Sequence, residues 1–257
     1  MNTPIEISSL TEYINQIDEI THPEKSYLYR GQEDETWRVT SSAYRRLVSS
    51  SEDLGREVDL QPYSLRYLYQ IYLLEIIDEI KLRYPSTYRD LSPLECMAHL
   101  QHNRVATGLI DFTFSPLVAL WFACADENIN GKVIVLENDS EKIAEITTVE
   151  QLQQGLDIFF SADEGNWYLW SPTLDNQIVD TQRLIMQQSV FLFGLPEIDT
   201  EMITQEIIIR SSDKVNIKTG LEKMGISERT LFSDLLGFFE RNSVTQPYNL
   251  PVDALGS

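Results

Sequence analysis

The first apolar pattern is helical: Ile5–Ile20 carries hydrophobic residues at three- and four-residue spacing, with Ser9 or Thr11 as the N-cap. Tyr27–Arg30 is a short β-rich run that stops at Gly31, and Ser41–Leu47 reads as a short helix. From Gln61 to Arg83 the positions Leu65, Leu68, Tyr69, Tyr72, Leu73, Ile76, Ile77 and Ile80 predict a long helix ended by Pro85. Glu95–His102 is a further helix opened by Pro93, and Leu117–Asp126 a buried helix begun by Pro116. Val133–Leu136 is apolar throughout, the mark of a central strand. Trp167–Trp170, Gln177–Asp180, Ser189–Phe193 and Glu206–Arg210 are further strand candidates; Asp213–Met224 and Glu228–Glu240 close the chain as helices. Helices come first, followed by strands with inserted helices and no regular alternation, so the expected class is α+β.

A chain of 257 residues with 42% hydrophobic positions supports one domain with a substantial core. The reading is a single domain with its core at about 25–240, a helix within 1–24 and a tail over 241–257. No apolar run approaches the roughly 18 residues of a membrane helix. The opening MNTPIEISSL lacks the basic and apolar regions of a secretory signal. Cys96 and Cys124 lie in apolar stretches and read as buried free thiols. These features lead us to expect a cytoplasmic protein.

The formal net charge of −20 argues against a nucleic-acid coat protein and against stable DNA binding. The charge is uneven: −6 over residues 1–110, −11 over 111–180 and −3 over the remainder. A candidate basic strip is Arg38, Arg45, Arg46 and Arg56, interleaved with Trp37 and Tyr44. The acidic middle is either a docking face for a basic partner or a solvated surface.

Glycine-rich phosphate loops, nucleophile elbows and paired-histidine metalloprotease helices are missing from the sequence. His99 and His102 share a helix face, but the sequence offers no third ligand nearby, so no metal is expected. Two segments are richer in polar chemistry than a core requires. Arg30 ends an apolar strand, where a guanidinium needs an acid or an anion, and Gly31 permits close approach of a ligand or another segment. Asp111, Thr113 and Ser115 alternate along a strand and point to one face, directly before a packed helix. An Arg30–Asp111 ion pair and helix capping by Ser115 are the purely structural alternatives.

Tyr29-Arg30-Gly31-Gln32, the stretch from His102 to Ala123, Arg183 with Gln187-Gln188-Ser189-Val190-Phe191, and Gly225 to Phe232 occur in an order that resembles the FRG domain family, named for its Phe-Arg-Gly signature. The resemblance runs from about residue 25 to 240. Tyr29 stands for the family phenylalanine, and in Arg104–Asp111 the family's glycine and proline are lost and its arginine is Gly108. The pattern is in turn distantly similar to ADP-ribosyltransferases. That similarity implies a split β core, NAD as substrate and a site of Arg30, Thr113, Ser115 and Gln187. His102 and Asp111 are acid/base candidates beside it, and Gly31, Gln32 and Arg183 belong to the NAD-binding network. The chemistry needs these types: an arginine fork grips phosphates, strand hydroxyls position the ribose, and a carboxylate stabilises the charge that develops on the sugar. Gln187 stands where that carboxylate belongs, with Asp111 or Glu206 as other sources of the charge. The resemblance implies a bacterial toxin of a toxin–antitoxin or phage-defence system, with an antitoxin protein as partner and RNA or protein as acceptor. The competing readings are a non-catalytic module binding a nucleotide or peptide in the same pocket, and a hydrolase with Asp111 or His102 as base.

Overall fold

The computed structural model describes residues 2–53, 62–154, 156, 167–172 and 181–243. Its centre is an eight-stranded mixed sheet: β1 (Ile5–Ile7), β2 (Tyr27–Gln32), β3 (Ile110–Thr113), β4 (Gly131–Glu137), β5 (Ile143–Ile146), β6 (Trp167–Trp170), β7 (Ser189–Phe193) and β8 (Ile203–Ile209). The strand order is β1-β8-β4-β2-β3-β7-β6-β5, parallel at the β1–β8 and β5–β6 pairs and antiparallel elsewhere. The helices are α1 (Leu10–Ile20), α2 (Ser42–Asp53), α3 (Pro62–Arg83), α4 (Pro85–Tyr88), α5 (Pro93–His102), α6 (Pro116–Ala123), α7 (Val149–Leu152), α8 (Thr181–Met186), α9 (Ser211–Lys223), α10 (Glu228–Leu231) and α11 (Leu235–Arg241). The fold is α+β.

Side-chain alternation divides the sheet into two faces. On one, Leu28, Ile110, Phe112, Ile134, Leu136, Val190 and Leu192 pack with Val39, Ile198 and Ile203. The other is covered by two separate groups of helices. Tyr27, Tyr29, Val133, Val135, Ile207 and Ile209 lie under α1, α6 and α9, whereas Trp170, Phe191 and Phe193 lie under α3 and α5. Between the groups the cover is open above β3.

Gly31 explains how α6 packs so closely. A Cβ there would lie 1.9 Å from the Ala119 carbonyl oxygen, so a residue with any side chain would push α6 off β2. Beyond this point β2 and β3 part: they share one paired position, Tyr29 with Thr113.

Three expectations change. Residues 5–20 are not one helix: Ile5–Ile7 pairs with Ile207–Ile209 as a parallel edge strand, and Ser9 then caps α1 by accepting from the Glu12 N–H. The helix expected over Glu228–Glu240 is two short helices, divided where Asp234 caps α11. The strand of Asp111, Thr113 and Ser115 ends at Thr113, because Pro116 starts α6 and the Ser115 hydroxyl accepts from the Val118 N–H. Gln177–Asp180 lies outside the described residues, as does Arg56 of the basic strip.

Candidate active site

The opening above β3 is a cavity of about 490 Å3. Its floor is sheet: Tyr29 and Gly31 of β2, Asp111 and Thr113 of β3, Ser189 and Phe191 of β7. Its walls come from α5 (Gln101, His102), α6 (Val118, Phe122), the α8 region (Arg183, Gln187) and the C-terminal segment (Phe232, Glu240). Arg30, Asp111, Thr113, Gln187, His102 and Arg183 are thus brought together from positions up to 157 residues apart in sequence.

Arg30 sits where β2 and β3 separate. Its Nη1 donates to the Asp111 carbonyl oxygen at 2.6 Å and lies 3.9 Å from the Asp111 carboxylate, while its Nε is buried with no hydrogen-bond partner among the described residues. Burial pulls its pKa below the ordinary value and Asp111 opposes that fall. The guanidinium is therefore anchored chiefly on main chain and keeps most of its charge for a ligand. Asp111 is open to the cavity and accepts from Gln101 Nε2 at 2.7 Å.

The Thr113 hydroxyl donates to the Gln187 carbonyl oxygen at 2.7 Å and accepts from the Ser115 N–H at 3.0 Å. Gln187 follows α8, and Gln188, with φ of 47°, turns the chain into β7 and leaves Gln187 over the cavity. The Gln187 amide donates to the Leu231 carbonyl oxygen at 3.1 Å, which turns its own oxygen away from that contact. Arg183 stacks over the Phe232 ring, 4.2 Å from its centroid, and lies 3.9 Å from the Asp234 carboxylate. Burial lowers the Arg183 pKa, with Asp234 the main opposing charge.

One member of the cluster was not legible in the sequence. Asp234 is buried: Oδ1 accepts from the Gly237 N–H at 2.8 Å as the N-cap of α11, and Oδ2 lies 3.1 Å from His102 Nε2. The only local signal was the cap itself, an aspartate before Leu235-Leu236-Gly237. The two helical histidines do not converge: His99 Nδ1 meets the Tyr88 hydroxyl at 2.5 Å, while His102 turns to Asp234.

Three expected members lie elsewhere. Ser115 caps α6 and is not part of the cavity wall, since its hydroxyl serves the helix N-terminus. Gln32 is buried beyond the cavity, donating to the Arg38 carbonyl oxygen at 3.3 Å. Glu206 pairs with Lys132 on the neighbouring strand at 2.8 Å, so it supplies no charge to the cavity. Gly31 lines the cavity, yet its missing side chain makes room for α6. Gly108 has no room for the family's arginine either: a Cβ there would meet the Tyr69 hydroxyl at 2.7 Å and Leu73 at 2.8 Å.

Residues 25–132 match the model of the FRG domain family. No curated protein and no solved structure matches the chain. The FRG match spans β2 to the start of β4, and so includes Arg30, Gly31, His102, Asp111 and Thr113. Arg183, Gln187, Phe232 and Asp234, which complete the cavity, follow the matched residues. Among the described residues no helix is long and apolar enough to cross a membrane, and no three metal-ligating side chains cluster.

Proposed function

We propose that this FRG-domain protein cleaves NAD and transfers the ADP-ribose to a macromolecular acceptor, RNA or protein. The observation that carries the reading is the convergence of Arg30, Thr113 and Gln187 on one cavity, from β2, β3 and the entry to β7, which are neighbours in the sheet. A cavity of about 490 Å3 is in the range of ligand sites. Three arginines, Arg30, Arg104 and Arg183, line it against two acids, Asp111 and Glu240, a local positive excess in a chain of net charge −20, which favours an anionic ligand there. The rings of Phe122, Phe191 and Phe232 supply an apolar wall for a planar base.

In the proposed reaction the bond between nicotinamide and ribose breaks and its electron pair leaves with nicotinamide. The acceptor adds at the anomeric carbon and loses a proton. Arg30 and Arg183 hold the pyrophosphate; His102, oriented by Asp234, receives the proton. The oxygen of Gln187 faces the developing positive charge with a dipole in place of a full charge, so the reaction is slow. The role of toxin, silenced by an antitoxin protein, rests on the family resemblance alone.

A second reading, a module that binds a nucleotide without cleaving it, is favoured by Gln187 itself, whose amide is committed to Leu231. Nicotinamide release by the purified protein, alone and with total RNA or cell lysate, separates the two. The expected result is release that requires an acceptor and falls by at least about 10²-fold in Arg30→Ala. Release without acceptor would indicate an NAD hydrolase. Binding of NAD without release would establish the module.

A further inference from the structure

On the far side of Arg30 lies a second, smaller cavity of about 210 Å3. It shares Arg30, Gln101, Arg104 and Asp111 with the first and adds Thr40, Ser42 and Arg45. Three guanidinium groups line it: Arg104 is paired with the Glu240 carboxylate, and the carboxylate among the lining residues, Asp111, is already bonded to Gln101.

Arg30 and Arg45 are held chiefly on main-chain oxygens. Arg45 Nη1 donates to the Thr40 carbonyl oxygen at 2.6 Å, as Arg30 Nη1 does to that of Asp111; main-chain oxygens orient both without neutralising them. The two cations lie close enough that Arg45 depresses the Arg30 pKa, a repulsion that a bound anion would relieve. Arg104, the third, is paired with Glu240, and a phosphate would have to compete with that carboxylate for it. Arg104 follows the C-cap of α5 with φ of 63°, and the Val105 N–H returns to the Leu100 carbonyl oxygen while its own bonds Gln101. Glycine is the favoured residue in that position, since any side chain there carries a backbone cost. An arginine in the glycine position, its side chain on the boundary between two cavities, is strain of the kind found at ligand sites.

We propose that the smaller cavity is a separate phosphate-binding site, formed by Arg30, Arg45 and Arg104, for the phosphate of an acceptor nucleotide or nucleic-acid end. It is too small for a second dinucleotide. Farther along α2, Arg46 lies over the Tyr72 ring, whereas Arg38 is paired with Glu197. The name acceptor rests on the transferase reading; the binding does not.

The test is fluorescence anisotropy of the full chain with a short single-stranded RNA bearing a terminal phosphate, and with the same strand lacking it. The expected result is a preference of about tenfold or more for the phosphorylated strand, weakening with salt. Arg45→Gln should remove the preference. So should Arg104→Gly, which also relieves the backbone at 104 and so keeps the fold; thermal melting checks that both variants are folded. AMP that competes as well as the phosphorylated strand supports the site and names a free nucleotide as its source; a strand that outcompetes AMP supports it and names a nucleic-acid end. Equal affinity for the two strands, or a preference that survives both substitutions, overturns the proposal. Displacement of the strand by NAD also overturns it, because the two cavities would then hold one ligand. Failure to release nicotinamide, by contrast, bears on the transferase reading and leaves this measurement intact.

Discussion

Gln187 is the residue on which the proposed chemistry turns. Replacing its amide by a carboxylate has two separable consequences. The donor to the Leu231 carbonyl oxygen is lost and two acceptors face each other, which costs about 1–3 kcal/mol of stability. The full negative charge meanwhile faces the sugar in the transition state. The expected outcome for Gln187→Glu is a lower thermal midpoint with faster nicotinamide release. A folded Gln187→Glu protein no faster than the parent would show that this position carries no electrostatic share of the reaction. The sequence showed a glutamine near a strand; it did not show that the amide is spent on a carbonyl 44 residues away, because that contact exists only once α8 and α10 pack together.

At the scale of elements, two short-range features position the site. The first is the contact of α6 with β2 at Gly31. Gly31→Ala would force a Cβ to within 1.9 Å of the Ala119 carbonyl oxygen, and backbone on both sides leaves little freedom to relax. A loss of at least about 3 kcal/mol is expected, read as a large fall in melting temperature or as insoluble protein. A Gly31→Ala chain as stable as the parent would show that α6 is not locked against β2. The sequence pointed to close approach at this glycine and left open what approaches; packing shows that it is the helix.

The second feature is Asp234, which joins two functions in one carboxylate. Oδ1 caps α11, and Oδ2 lies 3.1 Å from His102 Nε2, the ring it orients in the proposed reaction. Asparagine is as good a cap as aspartate, whereas alanine forfeits about 1 kcal/mol. Asp234→Asn should therefore retain the stability that Asp234→Ala loses, while both slow turnover in the nicotinamide assay. Equal activity of Asp234→Asn and the parent would confine Asp234 to capping. Helical periodicity missed this break, since the apolar positions of Glu228–Glu240 fit one helix as well as two; the capping aspartate was the stronger signal.

At the scale of the molecule, the charge distribution opposes compactness. With a net charge of −20, self-repulsion is expected to destabilise the fold at low ionic strength, so the melting temperature should rise from low to physiological salt. A midpoint that falls with salt would mean that internal ion pairs, such as Lys132–Glu206, outweigh the global repulsion. Against this acidic background the arginines around β3 stand out as the place proposed to take an anion. Both thiols are buried, each in a different apolar cluster, and burial pushes Cys96 up to about 11 and Cys124 up to about 12.

By itself the sequence determined the local matters: most strands and helices, the α+β class, the buried thiols and the polar residues of β2, β3 and the β7 entry that a core has no use for. These follow from periodicity, proline and glycine placement and the cost of burying charge, all of which act over a few residues. Tertiary structure decided which of those residues share a cavity. It drew Asp234 to His102, sent Ser115, Gln32 and Glu206 to structural duties and set Arg45 beside Arg30. The reason is geometric: strand pairing and the gap between two groups of helices bring together side chains more than a hundred positions apart, and nothing in a local pattern records where the helices leave a sheet uncovered.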